Sequence, residues 1–182
     1  MIWPFKDDPL ERDAALLVGA ANTIATGMFG RLEDEFPFIP HDERALRYWD
    51  FIITIAGVFI ALTGLRTLNL NEKRRLKLEK KVAAHLVQLY PTIARPAFEK
   101  CKSFFDKSYY VLLDAGYEPQ LVASDAIGGW IVFEILNRAP ETDQELKLVR
   151  WVGLMIVQSF FNWWEKDGVR DFGIAGQSGS GY

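Results

Sequence analysis

The chain contains fifteen consecutive uncharged and mostly apolar residues, FIITIAGVFIALTGL, at positions 51–65. The segment that follows is basic, because positions 66–81 hold seven Lys or Arg residues and two Glu residues. A run of this kind forms either the core helix of a globular protein or a membrane-spanning helix whose basic flank faces the cytoplasm. Both alternatives predict a helix, and the choice between them determines the compartment.

A second uncharged run, residues 14–30, precedes the first, and a polar connection of about twenty residues separates them. This spacing is typical of a transmembrane hairpin. The excess of Lys and Arg after position 65 predicts that both ends of the hairpin face the cytoplasm. Small residues at four-residue steps, such as Gly57 and Ala61, let helix backbones approach closely in lipid. The favoured prediction is therefore an inner or cytoplasmic membrane protein with a cytoplasmic domain.

The length of the apolar run supports the alternative, a cytoplasmic protein in which both runs are core helices. Fifteen residues at about 1.5 Å of rise cover roughly 22 Å, which is less than the ~30 Å hydrocarbon core of a bilayer. The composition is 49% hydrophobic and 14% aromatic, which is enough apolar material to fill a core. Both alternatives stay open at this point.

The pattern of apolar residues is helical throughout and predicts an all-α fold with about six helices. Proline, glycine and N-capping residues punctuate the chain, and Thr142 with Glu145 forms a capping-box pattern. The predicted helices cover about 9–30, 42–65, 72–90, 97–115, 119–138 and 142–166. The predicted organisation is an N-terminal helical hairpin at 1–66, a four-helix bundle-like domain at 67–167, and a flexible Gly- and Ser-rich tail at 168–182, which has the composition of an added linker.

The last predicted helix is a candidate interface, because residues 151–164 carry no charge and are apolar almost all round. A helix of this kind lies in the centre of a bundle or meets a partner on its outer side. The predicted contact residues with a second copy or a larger complex are its aromatic residues and two small residues of the apolar run: Trp151, Phe160, Phe161, Trp163, Trp164, Gly57 and Ala61.

The basic segment after position 65 is a candidate site for anionic lipid, because polybasic segments beside a membrane are attracted to anionic headgroups. Nucleic acid is the less favoured partner, since no aromatic residues interleave with these cations and the formal net charge of the chain is −3. The predicted lipid- or anion-contacting residues are Arg66, Lys73, Arg74, Arg75 and Lys77.

No motif in the sequence predicts a catalytic residue, a metal site or a cofactor. His41 lies in a Pro-containing connection without a second metal ligand at helical spacing, and His85 lies on the apolar stripe of a helix. Cys101 is the only cysteine, which excludes an intramolecular disulfide and fits a reducing compartment. Asp125 and Glu134 are about 900° apart around one helix, so they do not form a carboxylate pair.

The favoured function is therefore non-catalytic: a membrane-anchored helical subunit that self-assembles or docks onto a larger complex. The alternative is a soluble helical module that binds a partner helix or an apolar ligand in a groove between the last three helices. The third hypothesis is a helical hydrolase or nuclease that uses His85 together with an acidic residue.

Overall fold

The computed structural model describes residues 8–68 and 70–166, and these residues form six long helices and one short helix. The predicted all-α fold with about six helices is confirmed. The predicted tail at 168–182 lies outside the described residues. The helices are α1 (Pro9–Glu35), α2 (Glu43–Thr67), α3 (Glu72–Leu89), α4 (Ala94–Asp114), α5 (Pro119–Leu136), α6 (Asp143–Phe160) and α7 (Trp163–Lys166).

Short polar side chains fix where several helices begin. The carboxylate of Asp8 accepts a hydrogen bond from Leu10 N at 3.1 Å, and that of Asp42 accepts one from Ala45 N at 2.7 Å. The predicted capping box is present at the start of α6, where the side chains and backbone amides of Thr142 and Glu145 bond reciprocally. Each cap satisfies backbone donors that the first helical turn leaves without an intrahelical partner.

Helix α2 lies at the centre of the protein, and the other six helices all pack against it. Every residue from position 51 to position 62 is buried. A helix that is apolar on all sides is stable in a folded protein only when other elements cover all of those sides. Helices from both predicted units, 1–66 and 67–167, therefore cover the apolar run. These helices share one hydrophobic core.

Within residues 8–68 and 70–166, α2 is the one helix that is long and apolar enough to cross a membrane. Of its most apolar 18-residue window, 83% is buried inside the protein. Helix α1 contains the second uncharged run, 14–30, but does not reach the same hydropathy. One such helix is weak evidence for a membrane span, because the mostly buried core helix of a globular protein has the same length and composition. The transmembrane hairpin stays a prediction.

Helices α5 and α6 cross at two glycines that bring their backbones into contact. A Cβ atom on Gly128 would lie 2.0 Å from the carbonyl oxygen of Val149, and one on Gly153 would lie 1.9 Å from that of Ser124. No side chain larger than hydrogen fits at either position without moving a helix. This crossing fixes the angle between α5 and α6 and so shapes the surface that they form with α4.

Three helix ends differ from the sequence prediction, each for a local reason. Helix α1 continues past Gly30 to Glu35, because the first residue that forbids helical continuation is Pro37. Helix α4 begins at Ala94, since Pro96 falls in the first turn, where its missing N–H is not needed. The predicted last helix is divided by a turn after Phe160, which separates α6 from α7.

Candidate functional site

Most of the residues predicted to form an interface between copies pack inside a single chain. A Cβ on Gly57 would lie 2.9 Å from the ring of Phe160, and the indole nitrogen of Trp164 donates a 2.8 Å hydrogen bond to the carbonyl oxygen of Ala61. The rings of Phe160 and Trp163 stack with their centroids 6.0 Å apart. These three aromatic side chains are buried, so they have almost no surface to offer a second copy.

The two remaining predicted interface residues, Trp151 and Phe161, are half-buried. The ring of Trp151 lies 5.7 Å from that of Phe36 and beneath the guanidinium of Arg31 at 5.6 Å, which ties α6 to the end of α1. The carbonyl oxygen of Phe161 would be 1.9 Å from a Cβ on Gly64, so this segment touches α2 closely. Self-association through these residues stays a prediction, and the packing inside one chain accounts for their apolar character.

The predicted lipid-contacting cations fall into two groups. Arg66 and Arg75 contact the carboxylate of Glu79 at 3.3 and 3.1 Å, so their charges are largely neutralised within the protein. Lys73 and Lys77 are exposed on the outer side of α3. Arg74 is half-buried and lies close enough to Asp13 to lower the pKa of that carboxyl group. The predicted lipid-contacting set therefore includes both arginines that are paired with acids of the same chain and lysines that are exposed to solvent.

Asp13 is a buried acid that the sequence reasoning missed. It is fully buried between α1 and its neighbours, and neither of its carboxylate oxygens has a hydrogen-bond partner among the described residues. Burial raises the pKa of Asp13 from 3.8 to about 7, and the nearby charges of Arg74 and Arg12 act in the opposite direction. The sequence contains an indication that Asp13 is buried, since Leu10, Asp13 and Leu17 share one helix face.

We expect Asp13→Asn to stabilise the protein at neutral and higher pH. Because the pKa of Asp13 is raised in the folded state, the folded protein binds more protons than the unfolded chain between about pH 4 and pH 7, and stability falls as pH rises through that interval. The asparagine cannot ionise, so the variant should gain on the order of 4 kcal/mol relative to wild type between pH 4 and pH 8, from a shift of about three pKa units at about 1.4 kcal/mol each. Urea unfolding at both pH values measures this difference.

The control for this prediction is Glu33→Gln, which alters an exposed carboxylate on the same helix. Its difference in stability from wild type is expected to be the same at both pH values. If Asp13→Asn showed the same pH dependence as wild type, Asp13 would be ionised in the folded state, and its burial without a partner would be wrong.

The histidines and the cysteine lie in separate places. His85 lies at the seam of α1 and α3, where its Nε2 atom is 2.9 Å from a carboxylate oxygen of Glu11. His41 packs edge-on against Phe29 with ring centroids 6.0 Å apart. Cys101 is buried, and burial raises the pKa of its thiol well above the usual value. Such a thiol is a poor nucleophile, because the thiolate is the reactive form.

The two acids of α5 face different partners, as expected from their 900° separation. Asp125 lies 3.5 Å from the guanidinium of Arg150, and Glu134 lies 2.6 Å from the ammonium of Lys100. Glu134 also accepts a 3.1 Å hydrogen bond from the hydroxyl of Tyr48, and burial together with this carboxylate raises the pKa of Tyr48 to about 12. These acids link helices to each other.

An open groove of about 1020 Å³ lies between α4, α5 and α6. The rings of Phe104 and Phe133, with centroids 5.8 Å apart, form part of its apolar floor together with Val149. Gly129 lies in the same floor, where a Cβ would meet only the ring of Phe104 at 3.6 Å. Since that distance is an ordinary van der Waals contact, a larger side chain at this position would extend into the groove.

Large apolar side chains stand exposed around the groove. Val111 of α4 is 67% exposed, Tyr117 in the connection to α5 is 50% exposed, and Leu146 of α6 is 52% exposed. Lys107 and Lys147 line the same groove, are exposed, and form no ion pair with any of the described residues. The groove was expected only in outline from the sequence, because these residues are exposed and Tyr117 lies outside the helices.

Among residues 8–68 and 70–166, no group of three or more His, Cys, Asp or Glu side chains is placed to hold a metal ion. The groove is therefore the described feature with the clearest capacity to bind another molecule. No protein-family model, no curated protein and no solved structure matches this chain.

Proposed function

We propose that this protein is a non-catalytic, soluble helical module that binds an amphipathic helix of a partner protein in the groove between α4, α5 and α6. The observation that carries the proposal is the exposure of Val111, Tyr117 and Leu146 around an apolar floor. Large exposed apolar side chains around one groove are typical of binding sites, and burial of their apolar surface on binding is favourable by about 25 cal/mol per Å².

The shape of the groove favours a helix over a small molecule. Its volume of about 1020 Å³ is at the upper end of the roughly 300–1,000 Å³ of small-ligand pockets. It is also open to solvent rather than enclosed. An amphipathic helix laid in a groove buries its apolar face against the floor and leaves its polar face in water.

The charges on the groove indicate what flanks the apolar face of the partner helix. Lys107 on α4 and Lys147 on α6 are both without an ion pair among the described residues. Asp125 is already paired with Arg150, and Asp143 lies in the first turn of α6, where a negative charge is favourable. The partner helix is therefore expected to carry acidic residues, which increase the rate of association and fix its orientation.

This proposal replaces the membrane-anchored subunit as the favoured function. The reason is the burial of α2: a helix covered by the rest of its own chain is the core of a soluble protein more readily than a span in lipid. The proposal keeps the predicted docking onto a partner protein. It places the docking site in the groove and not at the aromatic residues of α6 and α7.

Site-specific photo-crosslinking in a cell extract tests the proposal. A photoreactive amino acid is introduced at Val111 or at Leu146, which lie on different helices of the groove. Leu89, which is 44% exposed at the end of α3, is the matched control. We expect one partner segment to be captured from both groove positions and not from the control, and a synthetic peptide of that segment to bind with micromolar affinity.

Gly129→Leu provides the blocking variant. Leucine is the better helix former by roughly 0.5–1 kcal/mol, so the fold is expected to persist while the side chain fills the groove. Peptide binding should then be lost, with helicity unchanged in circular dichroism. Capture of the same protein at Leu89, or full peptide binding by Gly129→Leu, would overturn the proposal.

A further inference from the structure

Helix α3 has a basic and apolar face that is not covered by any other helix within residues 8–68 and 70–166. Its buried residues, Leu78, Val82 and Leu86, face the core, and the residues on the opposite side are all exposed. These exposed positions recur at alternating steps of three and four residues, so they form one continuous stripe along the helix. The stripe, called here the outer face of α3, consists of Lys73, Leu76, Lys77, Lys80, Ala83, Ala84 and Val87.

Two of the three lysines on this face have no acidic partner. Lys73 and Lys80 form no ion pair with the part of the chain that the structure describes, and Lys77 forms a long ion pair of 3.9 Å with the carboxylate of Asp8. The acids of the same helix, Glu72 and Glu79, lie off this face and contact Arg75 at 3.9 and 3.1 Å. Three cations therefore stand on the outer face with no acid among them.

Two large apolar side chains lie among these cations. Leu76 is 43% exposed and Val87 is 41% exposed, and two alanines lie between them on the same stripe. Lysines mixed with apolar residues on an exposed helix face are typical of a helix that lies in the plane of a membrane interface. The apolar side chains enter the headgroup boundary, and the lysines meet anionic headgroups.

We propose that the outer face of α3 binds the surface of an anionic lipid bilayer, so that the folded protein attaches to the membrane peripherally. The occupant follows from charge complementarity. Three exposed lysines, two of them without an ion pair among the described residues, attract an anionic surface, and the aliphatic residues between them favour its lipid. Nucleic acid is the less suitable polyanion, because the face contains no aromatic side chain on which a base could stack. The proposal is independent of the groove, which lies on α4, α5 and α6.

Vesicle co-sedimentation of the full chain tests the proposal. The vesicles contain either phosphatidylcholine alone or phosphatidylcholine with 30% phosphatidylglycerol, a composition chosen for its anionic charge. We expect binding to the anionic vesicles only, with a steep decrease as salt is raised, since surface charges are screened over about 10 Å at 0.1 M. The triple change Lys73→Glu, Lys77→Glu and Lys80→Glu should lower the partition coefficient at least about tenfold.

The control has the same change in net charge at another place. Lys102→Glu, Lys107→Glu and Lys147→Glu together alter α4 and α6 and should leave vesicle binding within about twofold of wild type. The same control is expected to weaken partner binding in the groove, so failure of one proposal is distinguishable from failure of the other.

A fluorescent label reports which face meets the lipid. Cys101 is buried, so a new cysteine from Val87→Cys can be labelled selectively with an environment-sensitive dye. Its emission should shift to the blue on anionic vesicles, whereas the same label at Leu146→Cys should not respond. Carbonate at high pH should release the protein from the vesicles.

Four results would overturn the proposal: equal binding to uncharged vesicles, equal loss of binding in both triple variants, tighter binding to duplex DNA than to anionic vesicles at equal charge concentration, and retention on the vesicles after the carbonate wash. The last result would also restore the membrane-spanning alternative for α2.

Discussion

Gly153→Ala is expected to destabilise the protein by about 3 kcal/mol or more, a large effect for a single added methyl group. The added Cβ would lie 1.9 Å from the carbonyl oxygen of Ser124 and 3.3 Å from the Cα of Gly128. Both neighbours are backbone atoms, so the contact is relieved only by moving α5 away from α6. Chemical denaturation with circular dichroism at 222 nm gives the change in the free energy of unfolding.

Gly27→Ala is the matched control, because Gly27 is an exposed glycine within α1 and a Cβ there would meet nothing within 4 Å. In an exposed helix interior the same substitution should stabilise the protein by up to about 1 kcal/mol. A lower free energy of unfolding for Gly153→Ala together with a higher one for Gly27→Ala would establish the backbone contact between α5 and α6. A stability of Gly153→Ala equal to that of wild type would show that the two helices are further apart than described here.

Trp164→Ala is expected to cost about 3–5 kcal/mol, which is typical of removing a buried indole from a core. Trp164 is 1% exposed and its Nε1 atom donates a 2.8 Å hydrogen bond to the carbonyl oxygen of Ala61. The side chain therefore ties α7 to the central helix through both packing and a polar contact. The free energy of unfolding in urea measures the loss.

Trp164→Phe separates the two contributions, because it retains most of the apolar volume and removes the N–H donor. We expect a smaller cost of about 1–2 kcal/mol. Tyr110→Ala removes an aromatic side chain that is 67% exposed and should change stability by less than about 0.5 kcal/mol. If Trp164→Ala were as mild as Tyr110→Ala, α7 would not be part of the core, and its aromatic residues would again be available for an interface between copies.

The local structure of this chain could be read from its sequence, whereas the packing could not. Thr142 and Glu145 predict the start of α6 because capping depends on residues a few positions apart. The position of α2 depends on which other helices reach it. An apolar run of fifteen residues is equally consistent with lipid on all sides and with six helices on all sides, since periodicity alone does not distinguish the two.

The candidate sites show the same division between local and long-range information. The aromatic residues at the end of α6 were recognised as contact residues, but their partners, Gly57 and Ala61 on α2, turned out to be in the same chain. The groove is formed by residues of α4, α5 and α6, and backbone contact at Gly128 and Gly153 holds α5 against α6. Such a contact depends on the surroundings of a glycine and not on its spacing in the sequence.

The central position of α2 has a consequence for the synthesis of the protein. Five of the six helices that cover it, α3 to α7, are encoded after it, so residues 51–65 leave the ribosome about a hundred residues before the last of their partners. At about 5–20 residues per second, that interval lasts about 5–20 s. During this time the nascent chain displays an apolar helix whose covering helices are still incomplete, and transiently exposed apolar surface of this kind is prone to aggregation.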